Sequence, residues 1–372
     1  MKAILLISSE FPPGPGGIGR HAADLSLALS NKGFLVNIFS TLDYVDNESI
    51  EDFISHLHPG IQLFPLKRRG WKTYIDRLNT IFKELNKNTY DRIIVTGMFP
   101  LWVGGLIKVV YGSSKHVDFF VHGSEVNPHN FLMRWLTHWS LKKANIIWAV
   151  SNFTSSLLPT SIQKKNIIEI LPNGIHVKEW EPYKDSENYF HWAGYPKLLT
   201  VGNLSPRKGQ HRVINALPEI IRIFPRVHYH MVGLAKNQTE IKILAEALGV
   251  SKHITIHGKL PGRAELARAY KSADLFLMLS ENQKDGDVEG FGIAILEANY
   301  FGIPSIGAKG CGIEDAIATG INGELVDGNS ASELAYVIKI ILENNMKYKS
   351  NLTGWIQDHN WNTIVEKFIN KL

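Results

Sequence analysis

The sequence predicts an α/β protein built from two Rossmann-like domains, each with a parallel sheet covered by helices. The chain has 372 residues, which is too long for one ordinary domain and suits two of about 150 to 200 residues each. Short apolar runs alternate with helical patterns from end to end, an order that favours parallel sheets with helices on both faces. A segment rich in Pro, Gly, Tyr and charged residues, 172–196, interrupts this alternation and marks a change of domain.

Six strand-like runs lie in each half of the chain. In the first half they are Ala3–Ile7, Leu35–Ser40, Ile61–Pro65, Arg92–Val95, Val117–Val121 and Ile146–Val150; in the second they are Lys197–Val201, Val227–Val232, Ile254–His257, Leu275–Leu279, Pro304–Ile306 and Gly323–Val326. Helices are predicted over Ile18–Leu29 and, at the end of the chain, over Trp355–Leu372. We therefore expect one domain over residues 1–180 and a second over 181–354, with ligands at the carboxyl ends of the strands.

Composition narrows the class of protein. A hydrophobic content of 44% with 20% charged residues is that of a soluble globular protein. The single cysteine, Cys311, excludes an intrachain disulfide framework and fits the reducing cytoplasm. The formal charge of +5 arises in residues 1–180, which hold 19 Lys and Arg against 14 Asp and Glu, whereas residues 181–372 hold 21 of each. No zinc-finger, RNP or helix-turn-helix pattern accompanies this charge, so no nucleic-acid partner is expected.

The most informative segment, 287–307, places two carboxylates around a glycine-rich helix start. Glu289 and Glu297 lie eight positions apart, with Gly290 and Gly292 between them. A glycine loop that opens a helix presents free amides and the positive end of the helix dipole to an anion such as a diphosphate. A carboxylate inside that helix can accept both hydroxyls of a ribose, and one ahead of the glycines can bind a second sugar. Two solvated surface acids are the alternative, but the combination favours a sugar-nucleotide site.

This segment resembles the Glu-x7-Glu signature of retaining glycosyltransferases of family four, which have the GT-B fold, and the resemblance extends along nearly the whole chain. The run Asp287–Ile293, followed by Leu296-Glu297-Ala298, is similar to that of bacterial phosphatidylinositol mannosyltransferases. The resemblance implies two domains facing across a cleft, with helix 355–372 crossing back onto the first. It implies a hexosyltransferase that moves a hexose from a UDP- or GDP-sugar to a lipid-linked or glycan acceptor in cell-envelope synthesis, through a same-face reaction assisted by the departing phosphate.

The resemblance also assigns donor-binding residues. Lys208 matches the family's lysine and, with Arg207, suits the charge that grows on a diphosphate leaving group. Asn203 stands where the family usually has arginine, and it supplies neither a charge nor a planar fork. This departure leaves open a non-catalytic sugar-nucleotide-binding protein. The remaining donor-binding candidates are the two glutamates, Lys259 in a loop that resembles the border of the nucleotide base, and the helix start Gly290, Phe291, Gly292 and Ile293.

His122 follows a strand in the run Val121-His-Gly-Ser-Glu-Val126, where Gly123 lets the backbone turn sharply. A lone histidine is more often a satisfied polar residue than a catalytic one. The family, however, carries a His-Gly-x-Glu motif at the same relative place, and its histidine contacts the transferred sugar. The catalytic candidates are therefore His122, Glu289 and Lys208, with the histidine as a hydrogen-bonding group and not as a nucleophile.

The run Gly14-Pro-Gly16-Gly17-Ile-Gly19 satisfies the Gly-x-Gly-x-x-Gly pattern, and Asp43 can be the ribose-binding acid of a nicotinamide oxidoreductase. Residues 9–13, however, separate the strand from the first glycine, so the loop is long and protrudes. The same run resembles the first loop of the glycosyltransferase family, whose amides, here those of Gly16 and Gly17, approach the donor phosphate and the acceptor. We favour that interpretation.

Asp285-Gly-Asp287 imitates the Asp-x-Asp metal motif of a different, single-domain glycosyltransferase fold. In a two-domain pattern, Lys208 and helix dipoles already neutralise the phosphates. We therefore expect no metal and no other cofactor beyond the nucleotide-sugar co-substrate.

A basic and aromatic segment in the first half indicates a membrane-facing surface. It contains Arg68, Arg69, Trp71 and Lys72, and cations with tryptophan suit the headgroup region of an anionic bilayer. Met98-Phe-Pro-Leu-Trp102 adds apolar bulk, although rings packed in the core explain that run equally well. We expect a cytoplasmic protein in peripheral contact with the inner face of the cell membrane.

Overall fold

The computed structural model describes residues 2–14, 16–43, 45–68 and 70–372, and it divides into two compact units. The first comprises Met1–Asn173 and Trp361–Leu372, and the second comprises Gly174–Asn360. Within the described ranges, the first unit has a parallel sheet of seven strands and the second a parallel sheet of six. The predicted pair of Rossmann-like α/β domains is confirmed.

In the first unit, helices connect strands that all run in the same direction. The strands are β1 (Ala3–Ser8), β2 (Leu35–Ser40), β3 (Ile61–Pro65), β4 (Arg92–Thr96), β5 (Val117–Val121), β6 (Ile146–Ala149) and β7 (Ile167–Ile170), in the order β3-β2-β1-β4-β5-β6-β7. The helices are α1 (Gly17–Asn31), α2 (Asn47–Ser55), α3 (Thr73–Lys87), α4 (Met98–Tyr111), α5 (Phe131–Leu141), α6 (Asn152–Ser156), α7 (Thr160–Gln163) and, from the end of the chain, α15 (Trp361–Ile369).

The continuous apolar sequence of β1 is explained by burial on both faces of this sheet. Ile4 and Leu6 belong to a core shared with α1, α2 and α15, whereas Leu5 and Ile7 belong to a core shared with α3, α4 and α5. Successive side chains of a strand point to opposite faces, so both sets must be apolar.

In the second unit, β8 and β11 lie at the centre of the sheet. The elements are α8 (Val177–Lys184), β8 (Lys197–Val201), α9 (Gln210–Ile223), β9 (His228–Val232), α10 (Gln238–Ala247), β10 (Ile254–Gly258), α11 (Gly262–Lys271), β11 (Leu275–Met278), α12 (Ile293–Tyr300), β12 (Ser305–Ala308), β13 (Gly323–Val326), α13 (Ala331–Glu343) and α14 (Asn345–Asp358). The strand order is β10-β9-β8-β11-β12-β13. The order therefore reverses between β8 and β11, which is where open α/β sheets bind ligands at the carboxyl ends of the strands.

The end of the chain differs from the single predicted helix 355–372. Helix α14 ends at Asp358, and α15 begins at Trp361. The break arises because Ile175 donates its N–H to His359 O at 2.9 Å and forms a bridge with Asn360. Only α15 joins the first unit, where Trp361 and Phe368 are buried in the core.

Strand β7 was not predicted. It is a four-residue edge strand whose side chains are partly exposed, and its Ile-Ile-Glu-Ile sequence lacks a clear burial pattern. Short edge strands pair on one side only, so they need less apolar sequence and give a weaker signal.

Candidate active site

The loops after β8 and β11 carry most of the predicted donor-binding residues. Lys208 and Arg207 lie in the loop that follows β8, and Glu289 lies in the loop that follows β11. Because these two strands flank the point where the strand order reverses, their loops meet at the carboxyl edge of the sheet. The fold of this unit thus brings together side chains about eighty positions apart in sequence.

The glycine loop before α12 leaves backbone amides available for an anion. Gly292 caps the helix with φ of 92°, a left-handed conformation that a side chain would strain, and an added Cβ would lie 2.6 Å from Ile313 Cδ1. The amides of residues 290–294 donate no hydrogen bond to any described residue. Unpaired amides and the positive end of the helix dipole together suit a phosphate.

A second loop fixes the backbone at Glu289. Gly312 donates its N–H to Glu289 O at 3.0 Å, and an added Cβ at Gly312 would lie 2.2 Å from Gly290 O. No side chain fits between the two loops, so Gly312 is required for this approach. The neighbouring Cys311 is buried, and burial raises the pKa of its thiol to about 11.

Glu289 binds both predicted cations through one carboxylate oxygen. Lys208 Nζ lies 2.7 Å from Oε2 of Glu289, and the Arg207 guanidinium donates a hydrogen bond to the same oxygen. Burial on its own would raise the pKa of this carboxyl, but the charges of Lys208 and Arg207 outweigh burial and hold the pKa below its usual value. The carboxylate is therefore ionised at neutral pH.

Glycines at positions 202 and 209 flank the segment that carries Lys208. Gly209 follows Lys208 in a left-handed conformation with φ of 72°, and an added Cβ would lie 1.8 Å from Leu279 O. The Lys208 side chain passes Gly202, where an added Cβ would lie 3.4 Å from Cε of the lysine. Gly209 therefore cannot carry a side chain, whereas at Gly202 an added Cβ would make ordinary van der Waals contact and the constraint is the backbone, with φ of 152°.

Glu297 lies in α12 and is held by a residue that the sequence did not indicate. The Tyr270 hydroxyl, in α11, donates to Oε2 of Glu297 at 2.6 Å. Burial, followed by the Glu297 charge and this hydrogen bond, raises the pKa of Tyr270 well above its usual value, so the phenol stays protonated as a donor. Tyr270 occupies an ordinary amphipathic helix with no motif, which is why sequence reasoning missed it.

Asn203 and Lys259 follow β8 and β10 at the same edge of the sheet, and within the described residues neither pairs with Glu289. The Asn203 side-chain oxygen accepts from Leu234 N at 3.4 Å, and Lys259 is exposed directly after β10. Gly233 approaches so closely that an added Cβ would lie 2.1 Å from Gly202 O. The loops after β8 and β9 are thus in contact, and Asn203 helps to join them.

In the first unit, His122 lies at the tip of β5 among polar groups from three other segments. Its backbone N–H donates to Glu125 Oε1 at 2.6 Å, and its ring Nε2 lies 2.8 Å from Thr96 Oγ1. The ring also contacts that of His21 on α1, with centroids 4.7 Å apart. Burial, together with the proximity of His21, lowers the pKa of His122 well below its usual value. The imidazole is neutral and can exchange hydrogen bonds with a sugar hydroxyl.

A carboxylate occupies the start of α1 beside the predicted glycines. Gly16 caps this helix with φ of 138°, and an added Cβ would lie 1.8 Å from Glu10 Oε2. Gly17 begins α1, and Gly19 donates its N–H to Glu10 at 3.4 Å. Burial raises the pKa of Glu10, whereas the Gly19 hydrogen bond lowers it by less. Glu10 lies in the segment 9–13 between the strand and the first glycine, but no sequence pattern placed its side chain on the glycine loop.

The acids of the two alternative motifs, the nicotinamide-binding pattern and the Asp-x-Asp pattern, are engaged in hydrogen bonds within the protein. Asp43 accepts a hydrogen bond from the buried guanidinium of Arg77, so it is engaged within its own domain. Asp287 accepts from Arg207 Nε at 3.1 Å, and Asp285 accepts from the Asp287 N–H at 3.1 Å. In the part of the chain that the structure describes, no three His, Cys, Asp or Glu side chains are arranged to hold a metal ion.

The basic and aromatic segment lies on the surface of the first unit. Trp71 is 84% exposed, Arg68 and Lys72 are exposed, and Lys72 Nζ lies 5.0 Å from the centroid of the Trp71 ring. Arg69 lies outside the described residues. Trp102, by contrast, is half-buried on α4, as expected if that run serves the core. None of the helices described here combines the length and the apolar character needed to cross a bilayer.

Comparisons with known proteins agree with this architecture. Residues 15–179 match the family model "Glycosyltransferase Family 4", and residues 184–353 match "Glycosyl transferases group 1". Sucrose-phosphate synthase from Thermosynechococcus elongatus has the same fold, with a TM-score of 0.78 and 19% identity over 100% of this chain and 98% of that chain.

Two curated relatives have named functions. A GDP-mannose-dependent alpha-(1-6)-phosphatidylinositol monomannoside mannosyltransferase of Mycolicibacterium smegmatis is 28% identical over 91% of this chain and 89% of its own length. The putative colanic acid biosynthesis glycosyltransferase WcaL of Salmonella typhimurium is 30% identical over 37% of this chain and 34% of its own length. With both family models matched in series and the fold in agreement, the chain is a glycosyltransferase of the GT-B fold, with a family 4 amino-terminal domain and a group 1 carboxyl-terminal domain.

Proposed function

We propose that this enzyme transfers a hexose, with retention of configuration, from a nucleoside diphosphate sugar to a hydroxyl group of a lipid-linked or glycan acceptor. The observation that carries the proposal is the group formed by Glu289, Lys208 and Arg207 beside the unpaired amides of the α12 start. Fixed cations and amides favour a diphosphate, and ionised Glu289 accepts hydrogen bonds from sugar hydroxyls.

Each residue then has a defined part in the reaction. Glu297, positioned by Tyr270, accepts the hydroxyls of the ribose, and Lys208 stabilises the charge that develops on the departing diphosphate. The bond between the anomeric carbon and the phosphate oxygen breaks, and a bond from the acceptor oxygen forms on the same face. The acceptor's proton passes to the departing phosphate oxygen. His122, neutral and held by Thr96, binds a hydroxyl of the transferred sugar.

GDP-mannose is the first donor to test, because a relative that covers 91% of this chain is named as dependent on it. The same relative acts on a phosphatidylinositol monomannoside, which supports a membrane glycolipid as acceptor, and WcaL supports a polysaccharide precursor as the second choice. We place the enzyme in the cytoplasm, at the inner face of the membrane, with the exposed segment of Arg68, Trp71 and Lys72 towards the lipid headgroups.

Nucleotide release from UDP-, GDP- and ADP-sugars, with and without a mannosylated lipid acceptor, tests the proposal. We expect acceptor-dependent release of one nucleotide and a product whose anomeric configuration, read by NMR, equals that of the donor. Donor binding in calorimetry without turnover would favour the non-catalytic binder. Binding of NAD and none of the sugars would favour the oxidoreductase, and an inverted product would contradict retention.

The proposal requires no metal, since Lys208, Arg207 and backbone amides supply the positive charge. Activity should therefore persist in EDTA. If EDTA abolished activity and Mn²⁺ restored it, Asp285 and Asp287 would be assigned as metal ligands. Asp287 would then have to give up its ion pair with Arg207.

A further inference from the structure

Helix α5 presents several large apolar side chains to solvent, while its core-facing side carries two small polar residues beside the buried Leu141. Phe131, Leu132 and Trp135 are 73%, 67% and 55% exposed, whereas Thr137 and Ser140 are fully buried. Thr137 is satisfied in the core, where its hydroxyl accepts from Trp102 Nε1 at 2.9 Å. A helix that only covers its own sheet shows the opposite arrangement.

The exposed apolar residues form one stripe along the helix. Phe131, Leu132 and Trp135 are spaced so that they share a face, and the half-buried Trp139, whose ring lies against Gly105 of α4, follows one turn later. The Trp139 ring contacts Lys143, whose Nζ lies 4.9 Å from its centroid. The stripe therefore ends in cations at the carboxyl end of the helix, where Lys142 is exposed as well.

The charge around this stripe has one sign. Residues 97–168 contain seven cations, Lys108, Lys115, Arg134, Lys142, Lys143, Lys164 and Lys165, and two acids, Asp118 and Glu125. Both acids are buried, so they contribute little to the surface. Three of these cations, Arg134, Lys142 and Lys143, lie on α5 or directly after it, and Lys108 lies on α4, which packs against α5.

We propose that the outward face of α5 docks the first domain on an anionic lipid bilayer. Aromatic and aliphatic side chains beside cations, with no exposed acid among them, match the boundary between acyl chains and anionic headgroups. The proposal rests on the proposed function only in that a membrane acceptor gives the contact its purpose.

The exposed segment at Trp71 continues this docking surface. Tyr74, three residues after Trp71, contacts the ring of Phe99 at the start of α4, with centroids 5.4 Å apart, and α4 packs against α5. The segment at Trp71 and helix α5 are therefore both connected to α4. If one bilayer binds both, each contact raises the effective concentration of the other.

A triple variant, Phe131→Gln, Leu132→Gln and Trp135→Gln, tests the docking surface, because Gln keeps helix propensity and removes the apolar groups. The matched control is Ile243→Gln, Tyr336→Gln and Met346→Gln, three exposed apolar residues of the second unit. Flotation uses vesicles of phosphatidylcholine with and without phosphatidylglycerol. We expect wild type and control to bind the anionic vesicles at low salt, and the triple variant to bind at least about tenfold more weakly, since one apolar side chain withdrawn from water is worth roughly that factor.

A fluorescent label separates insertion from a folding defect. Phe131→Cys carries an environment-sensitive nitrobenzoxadiazole dye, and the native Cys311 is buried and does not compete. The emission should shift to the blue with anionic vesicles, while the dye on Met346→Cys should not respond. An unshifted spectrum at position 131 would overturn the proposal.

Two further results distinguish this inference from the proposed function. Release of nucleotide by the triple variant with a water-soluble acceptor analogue should equal that of wild type. Vesicle binding without any glycosyl transfer would leave the docking surface standing and remove the proposed reaction. Equal binding to neutral vesicles, or a wild-type dimer that the triple variant dissociates in light scattering, would show that α5 has another role.

Discussion

Lys208 Nζ and Arg207 both bind one oxygen of Glu289, with the lysine nitrogen at 2.7 Å. The ammonium group has three donors, so this contact leaves others for phosphate oxygens. Glu289 thus positions the two cations, and the cations keep Glu289 ionised. If Glu289, Lys208 or Arg207 is removed, the charges of the other two are no longer compensated in a half-buried site.

Lys208→Ala should lower turnover far more than donor affinity. Charge grows on the diphosphate as the glycosidic bond breaks, so the lysine acts mainly in the transition state, where one such donor is worth about a hundredfold or more. Steady-state kinetics and calorimetry with the donor give the two quantities. Lys309→Ala, which removes an exposed lysine paired with Glu333, is the control and should change neither. A variant at position 208 with parental turnover would exclude the lysine from the mechanism.

Asn203→Arg tests the departure from the family pattern. If the missing cation limits the reaction, turnover with the best donor should rise, because a guanidinium adds charge at the loop after β8. The Asn203 side chain accepts from Leu234 N, so the substitution also removes one contact between loops. Asn203→Ala isolates that loss. Turnover below that of the alanine variant would mean that the site is built around the smaller side chain.

Glu297→Ala should abolish detectable turnover and weaken donor binding. The ribose loses its carboxylate, and hydrogen bonds to a charged group are worth roughly 1.5 to 3 kcal/mol. Tyr270→Phe is the companion, since it keeps the carboxylate and removes only the hydroxyl that orients it. We expect a smaller loss of affinity for Tyr270→Phe, mainly through positioning. Unchanged donor affinity of Glu297→Ala in calorimetry would contradict the ribose assignment.

Glu125→Gln should change how stability depends on pH. Burial raises the pKa of Glu125 to about 7, so between about 4.5 and 7 the folded protein holds a proton that the unfolded chain releases. Stability due to this group therefore falls as pH rises through that window, by an amount on the order of 3 kcal/mol. The glutamine keeps an oxygen for the His122 N–H and should remove this fall.

Urea unfolding at pH 4.5 and pH 8 provides the measurement for Glu125→Gln. Asp118, whose pKa burial also raises to about 7, titrates in both proteins, so the difference between them isolates Glu125. The variant should gain stability over the parent at pH 8 and little at pH 4.5. Parallel pH profiles of the two proteins would show that the buried carboxyl does not titrate as described.

Sequence reasoning predicted the strands that are buried on both faces and missed one short, partly exposed edge strand. β1 and β5 are continuous apolar runs and were placed within one residue, whereas β7 pairs on one side and went unnoticed. The split between α14 and α15 was also missed, because the bridge from Asn360 to Ile175 depends on a contact 185 positions distant in sequence.

The same limit applies to the site. The patterns identified Glu289, Glu297 and Lys208 because the residue types and their spacing carry chemistry. They did not reveal that Lys208 binds Glu289, or that Glu10 lies against Gly16, because both contacts depend on side-chain directions after the loops have closed. Tyr270 could not be found at all without the tertiary structure that brings its hydroxyl to Glu297.

The contact of Gly312 with Glu289 constrains attempts to exchange parts between related enzymes. The amide of Gly312 fixes the carbonyl of Glu289, and a methyl group at Gly312 would overlap Gly290 O. Consider a chimera that takes segment 287–297 from another enzyme but keeps its own segment 310–313. The two backbones would then not match at the contact between Gly312 and Glu289. The two segments contact each other although strand β12 separates them in sequence. We therefore expect a donor preference to be transferred only when both segments are exchanged together.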